Sequence, residues 1–192
     1  QVSPDNKYVL VTNWCSYDLS VISIAEQKVI KTINIGAYPR GITISSDSKY
    51  AFVAQMGGSV VHKIELGTWK RDLLNVGSNP RALVLSPDNQ TLFLTLNSSG
   101  RVGAFDISAN KMIKTVRTGN AARSLDISSD GSALYVVNFT SDTVSKVRSS
   151  DLKVIQKINV CNEPIGVSYE PINKRVWVAC YGGSIKVFSD LP

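Results

Sequence analysis

Side chains able to do chemistry are scarce in this chain. His62 is the single histidine, and it lies inside a strand-like run, Val60-Val61-His62-Lys63-Ile64. No Ser-His-Asp set, no His-rich spacing, no Cys-x-x-Cys pair and no glycine-rich phosphate loop is present. Three sets of residues stand out instead. Arg40, Arg81 and Arg123 recur at steps of 41 and 42 residues. Guanidiniums gathered at one place can hold a carboxylate, a phosphate or an acidic loop through forked hydrogen bonds. Asp5, Asp47, Asp88 and Asp130 recur at steps of 42, 41 and 42. They sit in turn sequences such as Ser-Pro-Asp-Asn at 3–6 and 86–89 and Ser-Asp-Gly at 129–131. Proline presets a type I turn and the carboxylate bonds back to backbone amides, so this column reads as turn chemistry. Cys15, Cys161 and Cys180 form an odd set with no metal spacing.

These columns belong to a repeat that fills the chain. Five copies begin near residues 2–5, 45–47, 86–88, 128–130 and 170–172. A third column runs Gly36, Gly77, Gly119, Cys161. A period near 42 residues built of short strand signals is the mark of a β-propeller blade. The second copy shows the four strands: A at 39–44, B at 50–54, C at 60–64 and D at 69–76. No segment carries apolar residues at helical spacing.

The strand B segments are nearly continuous apolar runs, such as Leu134-Tyr135-Val136-Val137 and Val176-Trp177-Val178-Ala179. A strand buried on both faces reads this way. The strand D segments alternate instead, as in Lys28-Val29-Ile30-Lys31-Thr32-Ile33. That suits a wetter outer strand, where lysine discourages edge pairing. The expectation is an all-β propeller of four-stranded antiparallel blades, spanning about 1–35, 36–76, 77–118, 119–160 and 161–192. The strands run B-C-D, then A-B-C-D three times, then A-B-C, which makes 18. The first and last blades are thus incomplete. The repeat is expected to belong to a larger, seven-bladed ring, its missing blades supplied by further chain or by a partner.

Totals constrain the reading less. The net charge of +6 and a pI near 9.3 are mildly basic. The plain source is lysine scattered on outer strands; the functional one is attraction for an anionic ligand or surface. No block of five like charges argues for a nucleic-acid tail. No apolar run is long enough to cross a bilayer as a helix. Gln1 opens directly into a repeat, so the chain reads as an internal or processed piece with no address written in it. Three residue triplets, beginning at Asn89, Asn97 and Asn138, match the glycosylation sequon, a pattern short enough to arise by chance.

With these residues in hand, the chain resembles the YVTN family of β-propeller repeats. The strand B motif stands as Tyr8-Val9-Leu10-Val11-Thr12-Asn13 and Leu134-Tyr135-Val136-Val137-Asn138. Asp18-Leu19-Ser20-Val21 and Asp142-Thr143-Val144-Ser145 look like its strand C motif. Gly36-Ala37-Tyr38-Pro39-Arg40-Gly41 and Gly77-Ser78-Asn79-Pro80-Arg81 look like its approach to strand A. The resemblance covers the whole chain. It implies an extracytoplasmic binding or scaffold module, periplasmic or at the cell surface. It transfers no catalytic residue and no cofactor, because the shared motif is structural. Ala122 stands where the first copies have proline, and Cys161 and Ile165 replace glycine and arginine in the last copy.

In a propeller the D–A and B–C connections share one face. Tyr38, Asn79, Asn120 and Glu163 therefore join Trp14, Met56, Asn97, Phe139 and Tyr181 there. The column Asn13, Gln55, Leu96, Asn138, Cys180 closes each strand B on that side. The candidate ligand-binding set is Arg40, Arg81, Arg123, Trp14, Asn138 and Tyr181, with a protein or a small anion as partner. The competing view of the arginines is that each ties its own loop to a neighbouring blade's carbonyls. The aromatics are either a protein-contact patch or wedges between blades. The leading function is a non-enzymatic binding or scaffold propeller. The alternatives are a propeller enzyme of the lactonase or quinoprotein type and a single-strand nucleic-acid binder. The simplest reading of the cysteines is three semi-buried thiols. Cys161 and Cys180 lie near one face and are close enough in the scheme to pair, whereas Cys15 sits four copies away.

Overall fold

A computed structural model describes residues 1–190 of the chain. It contains 18 strands among the described residues, and they form five antiparallel meanders. The first sheet is β1 (Tyr8–Asn13), β2 (Asp18–Ser23) and β3 (Lys28–Asn34). The second is β4 (Pro39–Ile44), β5 (Tyr50–Gln55), β6 (Val60–Glu65) and β7 (Arg71–Asn75). The third is β8 (Pro80–Leu85), β9 (Thr91–Leu96), β10 (Arg101–Asp106) and β11 (Lys111–Arg117). The fourth is β12 (Ala122–Ile127), β13 (Ala133–Asn138), β14 (Thr143–Arg148) and β15 (Lys153–Asn159). The fifth is β16 (Pro164–Glu170), β17 (Arg175–Cys180) and β18 (Ile185–Ser189). The sole helical feature described is one 3₁₀ turn at Phe139–Ser141. The opening strands β4, β8, β12 and β16 pack on one another in succession. They are the inner strands, and the architecture is that of β-propeller blades.

The aspartate column does what turn chemistry asks. Ser3 Oγ donates to Asp5 Oδ1 at 2.7 Å, Lys7 N donates to the same oxygen at 3.2 Å, and Tyr8 N donates to Ser3 Oγ at 3.0 Å. The same three bonds recur at Ser45–Asp47, Ser86–Asp88 and Ser128–Asp130. The serine hydroxyls hold these carboxyls below the usual range, Asp130 at about 2. In the fifth copy Glu170 takes over, accepting from the amides of Ile172 and Asn173.

Four apolar clusters sit between successive sheets. One strand B column shows how they form. Leu10, Phe52, Phe93 and Tyr135 are each 5% exposed or less, because the next sheet covers them. Burying such a side chain stabilises the fold by about 1.5–3 kcal/mol. Trp177 holds the same slot in the fifth sheet and is 40% exposed, since no described sheet lies beyond it. Ile185 and Val187 on β18 are exposed on the same sheet. Tyr135 also donates to Asp190 Oδ2 at 2.6 Å, and Lys146 Nζ meets Asp190 Oδ1 at 2.6 Å. That partly buried network fastens the fourth sheet to the residue after β18.

Cys161 and Cys180 are joined by a disulfide with Cα atoms 6.1 Å apart. The reading of three semi-buried thiols is therefore corrected twice, because Cys15 is free and exposed. The pairing follows from the repeat. The column that begins each inner-strand approach touches the column that ends each strand B, 19 residues later. Gly36 lies against Gln55, Gly77 against Leu96 and Gly119 against Asn138. Cysteines in both columns of one copy face each other.

Candidate functional site

The three arginines begin or nearly begin the inner strands β4, β8 and β12, one sheet apart. Two of the three backbones are pinned from the sheet before. Thr12 Oγ1 donates to the Arg40 carbonyl at 2.9 Å, and Thr95 Oγ1 donates to the Arg123 carbonyl at 3.1 Å. A second lock sets the loops around them. Tyr38, Asn79, Ala121 and Glu163 all have left-handed backbones. Their carbonyls accept from the amides of Met56, Asn97, Phe139 and Tyr181, each at 3.0 Å. The D–A loop of each blade is thus hydrogen-bonded to the B–C turn of the same blade. In the fourth blade the residue in this slot is Ala121, next to the expected Asn120; Asn120 itself accepts a bond from Arg117.

Each guanidinium rests on a B–C turn residue. Arg40 lies over the Trp14 ring, 3.7 Å from its centroid. Arg81 Nη1 lies 3.5 Å from Met56 Sδ. Both seats belong to the preceding sheet. Arg123 breaks the pattern and lies 4.8 Å over Phe139, in its own sheet. Two substitutions explain the break. The seat Arg123 would take is Asn97, whose amide is used on the Ala122 carbonyl at 3.0 Å. The residue that would take the Phe139 seat is Ile165, which carries no charge.

Among the described residues, none of the three arginines is in an ion pair, and none donates to a backbone carbonyl. The carbonyl-tying role weighed from the sequence is therefore not what these side chains do. Arg40 Nε is buried with no partner. Burial lowers the pKa of all three guanidiniums. Arg81 is pushed down to about 10, first by burial and then by Arg123 and Arg40. Arg123 also lowers Arg40, while Tyr181 and Glu163 pull Arg123 back up. The three charges thus act on one another, Arg81 feeling both of the others, and Glu163 offsets the effect at Arg123.

The aromatic residues divide. Trp14 stacks on Tyr38 at 4.5 Å, and Tyr17 meets Tyr38 edge-on at 5.5 Å. Tyr181 stands open to solvent. Asn138 does not belong to the ligand set. It is fully buried, its Nδ2 donating to Thr143 and Ser145 and its Oδ1 accepting from Thr118 at 2.8 Å. Its amide is spent inside the fourth blade, so no atom is left for a ligand. Sequence reading missed Tyr17, although the repeat put it one turn from Trp14.

His62 is buried on β6, where Nε2 donates to Gln55 Oε1 at 3.2 Å and Nδ1 has no partner. Burial, then the nearby Arg71, holds its pKa down at about 4. It is a neutral core histidine. No group of three or more His, Cys, Asp or Glu placed to hold a metal ion occurs among the described residues.

The fold is that of β-propeller blades, with three neighbouring arginines set against Trp14, Met56 and Phe139 at the starts of successive inner strands. No family model matches the chain. Among curated proteins it is similar to Antigen Lp49 of Leptospira interrogans, 24% identical over 180 residues. That match covers 93% of this chain and 32% of the relative, so the chain spans about a third of the relative's length. Among solved structures it is similar to Kuenenia stuttgartiensis hydrazine synthase, with a TM-score of 0.85 at 19% identity. The overlap is 92% of this chain and 53% of that one. At that identity the likeness concerns the fold alone. No helix of the described residues is long and apolar enough to cross a membrane.

Proposed function

We propose that this chain is a non-enzymatic, extracytoplasmic propeller of the YVTN type that docks an acidic segment of a partner protein at the Arg40–Arg81–Arg123 mouth. One observation carries the reading: three neighbouring guanidiniums are held in place with no carboxylate paired to any of them. Arginines on fixed backbones, partly desolvated and mutually repelling, gain most from an incoming anion. The seats around them supply tryptophan, tyrosine, phenylalanine and methionine. Those types, with arginine, are enriched at the centre of protein interfaces. The Cys161–Cys180 bond suits an oxidising compartment, and a relative called an antigen fits a protein presented outside the cytoplasm.

The test is calorimetry with a short glutamate-rich peptide at low ionic strength. The protein should bind it, and Arg81→Glu, shown to be folded by its far-UV spectrum, should not. A single-stranded oligonucleotide that outcompetes the peptide would move the site to the nucleic-acid class. Unchanged peptide affinity in Arg81→Glu would make the arginines purely structural.

A further inference from the structure

Tyr17 and Tyr38 are placed where the fold itself has no use for an aromatic ring. Both have left-handed backbones, at φ 63° and 57°. That conformation crowds a Cβ, and a bulky side chain there is an outlier. The repeat shows what the two slots require. The slot of Tyr17 holds Gly100 and Asp142 in the third and fourth sheets, both with positive φ, and Ser59 and Ser184, outside that region, in the second and fifth. The slot of Tyr38 holds Asn79, Ala121 and Glu163. The backbone bonds are the same either way. The Tyr17 carbonyl accepts from the amides of Ile35 and Gly36, as the Gly100 carbonyl accepts from Thr118 and Gly119.

Burial does not repay the tyrosines either. Tyr17 is 41% exposed and Tyr38 is 40% exposed. Strained backbone that packing does not recover gathers at functional sites. What the rings do form is a surface. Tyr17 meets Tyr38 edge-on, Tyr38 stacks on Trp14, and the Arg40 guanidinium lies over Trp14. At the other end of the face Tyr181 is followed by Gly182 and Gly183, and no other ring contacts it among the described residues.

We infer that Tyr17 and Tyr38 are the second half of the docking site, an aromatic platform continuous with Arg40, and that the acidic segment bound there carries an aromatic side chain beside its carboxylates. This rests on the anion-docking reading above. The carboxylates meet the forks of Arg40 and Arg81, where no acid competes. The neighbouring ring packs on Tyr38 and Tyr17. Arg123, already beside Glu163 and Tyr181, contributes least.

Two peptides of equal charge test it: one of glutamate and serine, and one in which tyrosines replace the serines. The tyrosine peptide should bind the wild-type chain about tenfold more tightly. The double variant Tyr17→Gly, Tyr38→Asn gives both slots residues that other blades use there. It should keep or raise the melting temperature, retain the serine peptide, and bring the two affinities within about twofold of each other. Arg81→Glu should lose both peptides. Equal affinity of the two peptides for the wild type would overturn the platform and leave the anion site standing. A double variant that melts well below the wild type, with the tenfold margin intact, would make the tyrosines structural and also overturn it. If neither peptide binds the wild type, the docking reading fails and the platform fails with it.

Discussion

The second and fifth blades solve one local problem in two ways. In each, the approach to the inner strand must be tied to the end of strand B, 19 residues on. In the second blade the tie is Gly36 against Gln55, with Gln55 held by a buried neutral His62. In the fifth it is a covalent bond between Cys161 and Cys180. The residues nearby differ too. The second blade brings Arg40 and Tyr38 to Trp14, with no acid to neutralise the cation. The fifth has Ile165 in place of arginine and sets Glu163 near Arg123. The repeat needs the contact and not a particular chemistry for it. Each blade is therefore free to fill its surrounding slots differently, here with an arginine–aromatic cluster at one end and a covalent tether at the other.

The largest expected effect breaks the recognition end. Arg81→Glu should weaken acidic-peptide binding about a hundredfold, roughly 3 kcal/mol, because reversal both removes a fork and adds repulsion. Thermal unfolding should barely move. The tethering end is broken by Cys161→Ser with Cys180→Ser. Opening a loop of this length should cost about 3 kcal/mol of unfolding stability, read by urea titration. Peptide affinity should stay within about twofold; a parallel fall in affinity would show that the two ends are not independent.

The ties should also respond to different conditions. Folded His62 stays neutral down to about 4, whereas in the unfolded chain it takes up a proton near its ordinary value of about 6.5. Its stabilising share is thus complete above about 6.5 and is lost as pH falls toward 4, on the order of 2–3 kcal/mol. His62→Gln should flatten that part of the pH profile, while the double serine variant should retain it. An unaltered profile in His62→Gln would place the titration elsewhere. The smallest effect expected is that of Trp14→Ala. Removing the ring under Arg40 should cost about 1 kcal/mol of peptide binding, about fivefold, and leave the fifth blade's stability unchanged.

Much of the fold was legible because its signals are local and repeated. The strand order, the continuous apolar B strands and the Ser-Asp turns all appear in the structure where the spacing puts them. The site was legible only as a column. Arg40, Arg81 and Arg123 read as equivalent, yet Arg123 turns to another seat because of Asn97 and Ile165, both remote from it in sequence. Asn138, which ends a strand B, and Tyr181, one step beyond the end of another, read as members of one set because they share a face. One is buried among Thr118, Thr143 and Ser145 and the other is exposed. The disulfide had a signal that went unused. The step of 19 between two columns predicts the contact once either column is seen to touch the other.

By itself the sequence determined which residues alternate, which turns close and how often the unit repeats, since periodicity and turn chemistry act within a few residues. It also put three guanidiniums at equivalent places in successive units. Only the tertiary structure decided which of them are left without an acid, which amides are used up inside a blade, and which rings remain open. Those outcomes depend on what the neighbouring sheet brings within a few ångströms, and packing between sheets joins residues some 25 to 55 positions apart. A repeat makes such contacts equivalent in outline, and single substitutions such as Ile165 for arginine then make them differ.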